Sequence, residues 1–200
     1  MIANPPPPTD QRDAQRDAWQ HQATRIAAIR AEVTGVRTYD LVFRDAAVAA
    51  GYRFAPGQFN MLYLPGIGEA AISISSDPRA HDCVGHTVRA VGHVTEALAR
   101  LGVGDEVILR GPFGTPWPLD NLRGHDVVIA VGGVGLASVR AAILAIANDR
   151  VSYGRVAVLF GAKTPAALLY EREYDAWRGR GIDVRVIVDQ ADSGWRGPDR

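Results

Sequence analysis

The hydrophobic pattern of this chain changes once, at the segment GPFGTPWP of residues 111–118. Before this segment, short apolar runs alternate with polar residues and are separated by Gly, Pro and Asp; after it, continuous apolar runs alternate with helical patterns. Three prolines and two glycines in eight residues mark a boundary, because neither residue type favours a continuous helix or central strand. The chain is therefore predicted to contain two differently built halves.

The first half, residues 21–118, is predicted to be a small antiparallel barrel. Short strands with turn residues about every 8 to 15 positions are typical of a closed or nearly closed barrel. One short helix is expected from Glu96 to Leu101, with Thr95 as its N-cap and Gly102 after its end. The six predicted strands are RIAAIRAEV, GVRTYDLVF, GQFNMLYL, AAISISS, GHTVRAVG and DEVILR.

The second half, residues 123–200, is predicted to be a parallel α/β unit. Strands that are apolar on both faces and alternate with helices indicate βαβ units. The predicted strands are DVVIAVGG, RVAVLFG and IDVRVIVD, and the predicted helices are LASVRAAILAIAND and PAALLYEREYDAW.

Residues 1–20 contain four consecutive prolines followed by alternating charges. Polyproline stays extended, and the remaining residues have too little apolar surface to offset the entropy of ordering. A mobile tail is therefore predicted, with a short docking helix from Asp13 to His21 as the alternative.

Composition excludes several classes of function. Lys+Arg and Asp+Glu both number 22, so the formal net charge is zero and a nucleic-acid partner is not expected. No stretch supplies the roughly 18 to 20 uncharged apolar residues that a membrane-spanning helix needs. Cys83 is the single cysteine, which excludes a disulfide framework and a four-cysteine metal site within this chain. A cytoplasmic location is expected.

A glycine cluster, VGGVGLA at residues 131–137, lies directly between a predicted buried strand and a predicted helix. Glycines at this position let the backbone approach a ligand, and the helix N-terminus directs N–H groups towards it. The pattern matches neither G-x-G-x-x-G nor a P-loop, so it indicates a nucleotide or phosphate site without naming the ligand. The alternative is a turn that only permits tight packing between strand and helix.

Further polar residues follow the next two strands of the predicted parallel sheet. Gly161, Lys163 and Thr164 follow the second strand, and Asp189 and Gln190 follow the third. Ligands of open α/β sheets bind beyond the carboxyl ends of the strands, so Lys163 and Thr164 are candidates to meet a phosphate or a ribose. The alternative is ordinary loop residues, with Thr164 as a helix N-cap.

In the barrel half, strand periodicity places Ser73 and Ser75 on one face of a strand. A polar ligand such as a flavin would satisfy these hydroxyls, and exposure of this face to solvent is an equal alternative. His81, Cys83 and His86 lie close together, but they lack a fourth ligand, and a polar turn is favoured over a metal site. No metal site is predicted.

Six segments in this order resemble the ferredoxin–NADP reductase superfamily. Within it, they are similar to the FAD- and NAD(P)-binding electron-transfer subunits of multi-subunit hydrogenases, sulfite reductases and dihydroorotate dehydrogenases. The segments are GEAAISISSDP (68–78), TVRAVGHVTEALARLGVGDEV (87–107), LRGPFGTPWPL (109–119), VGGVGLA (131–137), LFGAKTP (159–165) and VDQADSGWRG (188–197).

The resemblance implies an FAD-binding barrel and an NAD(P)-binding α/β half. It implies that a catalytic Ser73 lies near flavin N5. The other implied flavin contacts are Ala70, Ala71 and Ile72 at the ring, Thr87, Val88 and Arg89 along the ribityl and phosphate, and Val94 and Thr95 at the pyrophosphate. The implied nicotinamide dinucleotide contacts are Gly132, Gly133, Gly135, Leu136 and Ala137, with Gly161, Lys163 and Thr164 near the adenosine half.

The function implied by the resemblance is that of an NAD(P)H-dependent flavin oxidoreductase. A hydride would pass from NAD(P)H to FAD, and single electrons would then pass to an iron–sulfur or other redox partner subunit. The alternatives are a non-catalytic flavin-binding or regulatory subunit with an incomplete nicotinamide site, and a scaffold that binds neither cofactor. Lys163 and Arg172 are both candidates to meet a 2′-phosphate, so NADH and NADPH are not distinguished.

This sequence departs from the family pattern in three places. Ala70 and Ile72 stand where the family motif Arg-x-Tyr-Ser has its Arg and Tyr, and Ser138 replaces a proline. The chain also ends before the last strands and the terminal cysteine cluster that such subunits normally carry, so the resemblance implies that residues 123–200 are an incomplete NAD(P)-binding half. No iron–sulfur cluster is therefore expected in this chain.

Overall fold

The structure is a computed structural model that describes residues 18–197. Its N-terminal half is an antiparallel six-stranded sheet that curls into a barrel, and all six predicted strands are confirmed. The elements of this half are β1 (Gln22–Val33), β2 (Val36–Phe43), α1 (Ala46–Gly51), β3 (Phe59–Leu64), β4 (Gly68–Ser73), β5 (Val84–Arg89), α2 (His93–Leu98) and β6 (Glu106–Phe113).

The strand order β4-β3-β6-β1-β2-β5 leaves β4 and β5 as the two outer strands. They meet at an antiparallel bridge between Ile74 and His86. Helix α2 covers the other end of the β4–β5 seam, where a Cβ at Gly68 would lie 3.4 Å from Val94 Cγ2. The barrel interior is filled by apolar side chains that include Ile26, Leu41, Leu62, Val107 and Leu109.

The C-terminal half is a three-stranded parallel sheet in the order β7-β8-β9, as predicted. Its elements are β7 (Val127–Gly132), α3 (Leu136–Asn148), β8 (Val156–Ala162), α4 (Tyr174–Gly179) and β9 (Ile182–Val188). Short 3₁₀ turns lie at Leu119–Leu122, Gly133–Gly135, Arg150–Ser152, Pro165–Ala167 and Glu171–Glu173.

The two faces of this parallel sheet differ. One face packs with α3 and α4 into a core that contains Ile143, Val158, Phe160 and Trp177. The opposite face exposes Val128, Leu159 and Ile187 to 65%, 40% and 43%. Parallel sheets are normally covered on both faces, so we call this surface the open face.

The position of α2 differs from the prediction. The helix begins at His93 rather than Glu96, and Gly92 is its N-cap. Thr95 is therefore the third residue of the helix, and its hydroxyl accepts the N–H groups of Val91 at 3.1 Å and Gly92 at 3.0 Å. A Thr at the third helical position can accept backbone N–H groups that precede the helix. The sequence alone does not distinguish this position from the N-cap position.

The predicted helix over PAALLYEREYDAW is also wrong. The segment breaks at Tyr170, whose φ is 58°, and α4 starts only at Tyr174. Leu168, Leu169 and Tyr170 are all buried, and three successive residues cannot all lie on the buried face of a surface helix. The Tyr170 hydroxyl instead crosses to the barrel and donates to Thr87 Oγ1 at 2.5 Å.

In the described part of the chain, no helix is long and apolar enough to cross a membrane. Residues 1–17 of the predicted tail, which include most of the alternative docking helix, lie outside the described residues. Among the described residues that follow, the ring centre of Trp19 lies 5.0 Å from that of Phe113. The division of the chain into units at residues 21–118 and 123–200 stays a prediction.

Candidate functional site

The end of β4 and the start of α3 meet at the interface between the two halves. Ser73, the last residue of β4, donates from its hydroxyl to the hydroxyl of Ser138 at 3.3 Å. Helix α3 begins at Leu136, directly after the 3₁₀ turn Gly133–Gly135. The fold therefore brings together the two segments that the sequence suggested separately, the serine-bearing strand and the glycine turn.

The two faces of β4 have different surroundings. Register with β3 places Ile72 beside Asn60 and Ala70 beside Leu62, on the inward side of the barrel at the β4–β5 seam. Ile72 packs against the barrel core, whereas Ala71 is exposed on the outward side with Ser73. Ala70 and Ile72 therefore give the seam an apolar wall without charge.

On β5, most of the predicted ligand contacts are occupied by the protein itself. Val88 lies in the barrel core, and Thr87 is buried beneath the C-terminal half. Arg89 is exposed, so it alone of these three can extend its side chain into solvent. The Thr87 hydroxyl has three hydroxyl partners, from Tyr170 at 2.5 Å, Thr38 at 2.7 Å and Ser75 at 3.0 Å.

Hydrogen bonds within the protein also satisfy the hydroxyls of Ser73 and Ser75, for which the sequence left a ligand or solvent as alternatives. Ser75 is fully buried, with Thr87 and the Gly85 carbonyl as its partners, and Ser73 bonds to Ser138. Neither solvent nor a ligand is required to satisfy them. Of these two serines, Ser73 lies at the β4–β5 seam, whereas Ser75 is buried.

A groove of about 390 Å³ opens beside α2. Val88 and Thr95 contribute to its lining together with Arg37, whose Nη1 donates to the Ala99 carbonyl at 2.9 Å. Val94 packs on the barrel core. Sequence reasoning missed Arg37; the available signal is its register opposite Val88 on the neighbouring strand.

Sequence reasoning also missed a hydrogen-bond chain through the barrel interior. Tyr52 donates from its hydroxyl to Asn60 Oδ1 at 2.8 Å, and Asn60 Nδ2 lies 3.2 Å from His86 Nε2. His86 Nδ1 lies 3.1 Å from the Ser73 carbonyl and must donate to it, so Nε2 is the acceptor and the ring is neutral. Burial lowers the pKa of His86 to about 4. The neutral imidazole thus holds the backbone of Ser73 in place.

The glycines of the turn do not share one role. Gly133 has a φ of +52°, and a Cβ at Gly135 would lie 3.1 Å from Val131 Cγ2, so the fold itself favours glycine at both positions. A Cβ at Gly132 would meet its nearest atom, the Gly161 carbonyl oxygen, at 3.7 Å, and a Cβ at Gly161 would meet Ile187 at 3.8 Å. The fold does not require glycine at Gly132 or Gly161.

Gly132 and Gly161 are partners in register at the carboxyl ends of β7 and β8. Their missing side chains leave space at the edge where α/β sheets bind ligands. Leu136 and Ala137 are buried in the core, so they can offer a ligand only the backbone at the start of α3.

The loops after β8 and β9 are joined at the same edge. The Asp189 N–H donates to the Ala162 carbonyl and the Gln190 N–H to the Lys163 carbonyl, both at 3.0 Å. Lys163 is exposed there. Thr164 is the N-cap residue of the 3₁₀ turn Pro165–Ala167, as in the alternative interpretation, but its side chain makes no cap bond.

Arg172 does not lie at this edge. Its Nη2 donates to both carboxylate oxygens of Glu32 on β1, at 2.8 Å and 2.7 Å. The Glu32 side chain is 3% exposed, so it needs this cation as its counter-charge. Arg172 is therefore removed from the candidates for a 2′-phosphate contact, and Lys163 remains.

The described residues contain no group of three or more metal-ligating side chains. His81 is exposed and Cys83 is half-buried, whereas His86 lies inside the barrel with both ring nitrogens engaged. The preference for a turn over a metal site at these three residues stays a prediction.

This fold, an antiparallel six-stranded barrel beside a parallel α/β unit, matches the fold of solved ferredoxin reductases. A ferredoxin–NADP⁺ reductase from Neisseria gonorrhoeae, solved with bound FAD and NADP, matches with a TM-score of 0.75 over 90% of this chain and 72% of that chain, at 20% identity. The ferredoxin reductase in carbazole 1,9a-dioxygenase matches with a TM-score of 0.72 over 90% of this chain and 54% of that chain, at 23% identity.

Sequence comparison identifies the relatives within this fold. The chain is 34% identical over 158 residues to subunit gamma of sulfhydrogenase 1 from Pyrococcus furiosus, covering 78% of this chain and 54% of the relative. It is 33% identical over 142 residues to a probable dihydroorotate dehydrogenase B (NAD(+)) electron transfer subunit from Methanocella arvoryzae, covering 71% and 49%. No protein-family model matches the sequence. The predicted resemblance is confirmed, and the chain spans about half the length of the curated relatives it matches.

Proposed function

We propose that this chain binds FAD at the β4–β5 seam and NAD(P)H at the carboxyl edge of β7 and β8. With both cofactors bound, the chain would support hydride transfer from the nicotinamide to the flavin, followed by transfer of single electrons to an iron–sulfur or other redox partner subunit. The observation that carries this proposal is the contact between Ser73 and Ser138, which brings the flavin strand to the start of the nucleotide-binding helix. FAD, when bound, supplies the two-electron and one-electron chemistry.

The residues of the seam fit a flavin ring. On the outward side of β4, the small Ala71 leaves room for the ring and the Ser73 hydroxyl can hold a proton near flavin N5. Ala70 and Ile72 face the barrel interior and offer the ring their backbone. The hydroxyl bond from Ser73 to Ser138 is a long neutral one at 3.3 Å, so it can be exchanged for a bond to a cofactor. Ser73 can turn towards the ligand without disturbing its backbone, which His86 fixes.

The pyrophosphate needs a cation, because Ala70 stands where the family has Arg. Arg37 lines the groove beside α2, and Arg89 extends from β5 into solvent. We propose that the Arg89 guanidinium replaces the missing clamp, because Arg37 lies on the other face of the β2–β5 pair and its Nη1 is engaged by the Ala99 carbonyl. An arginine suits this role because its planar donors match phosphate oxygens.

The nicotinamide dinucleotide is proposed to lie over Gly132 and Gly161, with its phosphates at the start of α3. The backbone N–H groups there favour an anion. Lys163 is placed to meet the adenosine half. The relatives named as sulfhydrogenase gamma and dihydroorotate dehydrogenase electron transfer subunits support a partner subunit in a larger assembly, and we propose a cytoplasmic location.

The test is the visible spectrum of the purified protein after FAD addition and desalting, repeated after anaerobic NADH or NADPH. Retained flavin that bleaches with one donor supports the proposal and identifies that donor. Absence of retained flavin would overturn it. Ser73→Ala is expected to weaken flavin retention without loss of the fold, and Ser193→Ala, at an exposed serine, is the matched control.

A non-catalytic flavin-binding or regulatory subunit is the second candidate. The open face of the parallel sheet favours it, because a nucleotide site at the edge of an uncovered sheet is less rigid. Retained flavin that stays oxidised with both NADH and NADPH, but is reduced by dithionite, would support this candidate.

A further inference from the structure

Arg140, on α3, makes three sets of contacts at the interface between the halves. Its Nε and Nη2 donate to the carboxylate of Glu173 at 2.9 Å and 3.0 Å, and its Nη1 donates to the Ser75 carbonyl at 2.5 Å. The guanidinium carbon lies 4.9 Å from the centre of the Tyr170 ring. One side chain therefore joins α3, the segment before α4, and the barrel.

The position of these contacts matters because they flank the proposed reaction site. Arg140 lies two residues after Ser138, and Ser75 lies two residues after Ser73. The hydrogen bond between the Ser73 and Ser138 hydroxyls and the hydrogen bond from Arg140 to the Ser75 carbonyl thus join the same two segments, residues 73–75 and residues 138–140. The arginine bond is charge-assisted and short, so it is the stronger of the two.

The hydrogen-bond geometry at position 140 suits an arginine better than a lysine. A planar guanidinium can hold both oxygens of Glu173 and still present a donor to the Ser75 carbonyl, whereas a lysine ammonium cannot match the paired carboxylate geometry. The Arg140 and Glu173 side chains are 17% and 20% exposed, so solvent screens this pair only weakly. The Arg140–Glu173 pair lies within the C-terminal half, and the bond to Ser75 crosses to the barrel. The ion pair of Arg172 with Glu32 crosses directly, and its arginine is 54% exposed.

We propose that Arg140 is a positioning residue that sets the separation between the flavin strand and the nucleotide turn. This inference rests on the proposed function, because the separation matters only if both rings bind. Arg140 itself contacts neither reacting atom; it acts by holding α3 against the end of β4. Displacement of reacting groups by 1 Å can slow a reaction by about 100-fold, so loss of this tie should affect hydride transfer more than the binding of either cofactor.

The experiment compares the FAD-loaded full chain with three variants: Arg140→Met, Arg140→Lys and the control Arg155→Met, at an arginine that is 93% exposed and pairs with Asp126 inside the C-terminal half. Three quantities are measured: the FAD content, the change in the flavin spectrum on anaerobic titration with NAD⁺ and NADP⁺, and the rate of bleaching by NADH or NADPH. The spectral titration reports both the affinity of the nucleotide and the closeness of the two rings, without turnover. Bleaching by dithionite is the control for the flavin itself.

We expect Arg140→Met to retain FAD and the wild-type nucleotide affinity within about twofold, to lose most of the spectral change, and to bleach about 10- to 100-fold more slowly. Arg140→Lys should be intermediate, and Arg155→Met should match the wild type. A wild-type spectral change and rate in Arg140→Met would overturn the inference. So would loss of FAD in both Arg140 variants, which would assign the arginine to folding alone. Failure of the proposed function would be visible already in the wild type, as absent FAD or absent bleaching.

Discussion

Gly132 and Gly135 lie three residues apart in one turn, yet they respond differently to an added Cβ. At Gly135 the added atom would press on Val131, whereas at Gly132 it would meet its nearest neighbour at ordinary contact distance. A glycine that the fold does not require is better evidence for a ligand than one that it does. This distinction depends on neighbours that the motif itself does not show.

Gly132→Ala is therefore expected to preserve the fold and weaken nucleotide binding. Its φ of −127° suits any residue, so the free energy of unfolding should change by less than about 0.5 kcal/mol. Titration calorimetry with NADH and NADPH measures the affinity. Gly179→Ala, where the added Cβ meets nothing within 4 Å, is the matched control and should bind as the wild type does. Equal affinity in both variants would contradict the nucleotide site.

His86 predicts a pH dependence of stability. Burial lowers its pKa in the fold to about 4 from an ordinary value of 6.5, so between these values the unfolded chain binds a proton that the folded protein does not. Stability contributed by the neutral ring is complete above pH 6.5 and falls as the pH drops towards 4, by about 3 kcal/mol in total.

Urea unfolding between pH 7 and pH 4.5 measures this contribution. His86→Gln, which cannot titrate, should be less stable at pH 7 and should lose that part of the slope. His125→Gln, at an exposed histidine, is the control and should keep the slope. A slope unchanged by His86→Gln would show that the buried ring is not its source.

At the scale of elements, α2 shows how a side chain can serve the fold where a ligand contact was predicted. The Thr95 hydroxyl accepts two backbone N–H groups and donates to the Gly92 carbonyl at 3.0 Å. These bonds satisfy groups at the start of a helix that is only six residues long. The predicted pyrophosphate contact of Thr95 stays a prediction, and it would have to be made beside this cap.

Thr95→Val should destabilise the protein by about 1 kcal/mol through loss of the cap, and weaken FAD retention as a consequence. Thr95→Ser keeps the hydroxyl and should preserve both properties. Guanidinium unfolding and the FAD content after desalting measure the two effects. If Thr95→Val lost FAD at unchanged stability, the hydroxyl would contact the cofactor directly.

At the scale of the whole molecule, the open face of the parallel sheet has the largest consequence. Val128, Leu159 and Ile187 expose apolar surface on one side of a sheet type that is normally covered on both. Apolar patches of this kind favour association with other protein surfaces. The protein alone is therefore expected to self-associate as its concentration rises.

Val128→Lys should reduce this association and leave the free energy of unfolding nearly unchanged, because the side chain already faces solvent. Sedimentation velocity over a range of concentrations measures it. Val151→Lys is the control: Val151 is 96% exposed, but it lies in a 3₁₀ turn rather than on the sheet. Association that is unaffected by Val128→Lys would place the contact elsewhere.

The sequence by itself determined the strands, the change from barrel to parallel sheet and the family resemblance. These follow from local periodicity and from glycines and prolines in a fixed order, which need no knowledge of distant neighbours. It failed at PAALLYEREYDAW, where helical periodicity is overridden because Tyr170 must reach Thr87 across the interface.

Only the tertiary structure decided which candidate side chains are available to a ligand. Thr87, Ser75 and Arg172 are polar residues that could meet a cofactor, but partners far away in sequence already engage them. His86, Arg37 and Arg140 carry no recognisable motif, and their roles arise from strands and helices that packing brings together. The physical reason is that hydrogen bonds and burial depend on distance in space, which the order of residues fixes only after the chain has folded.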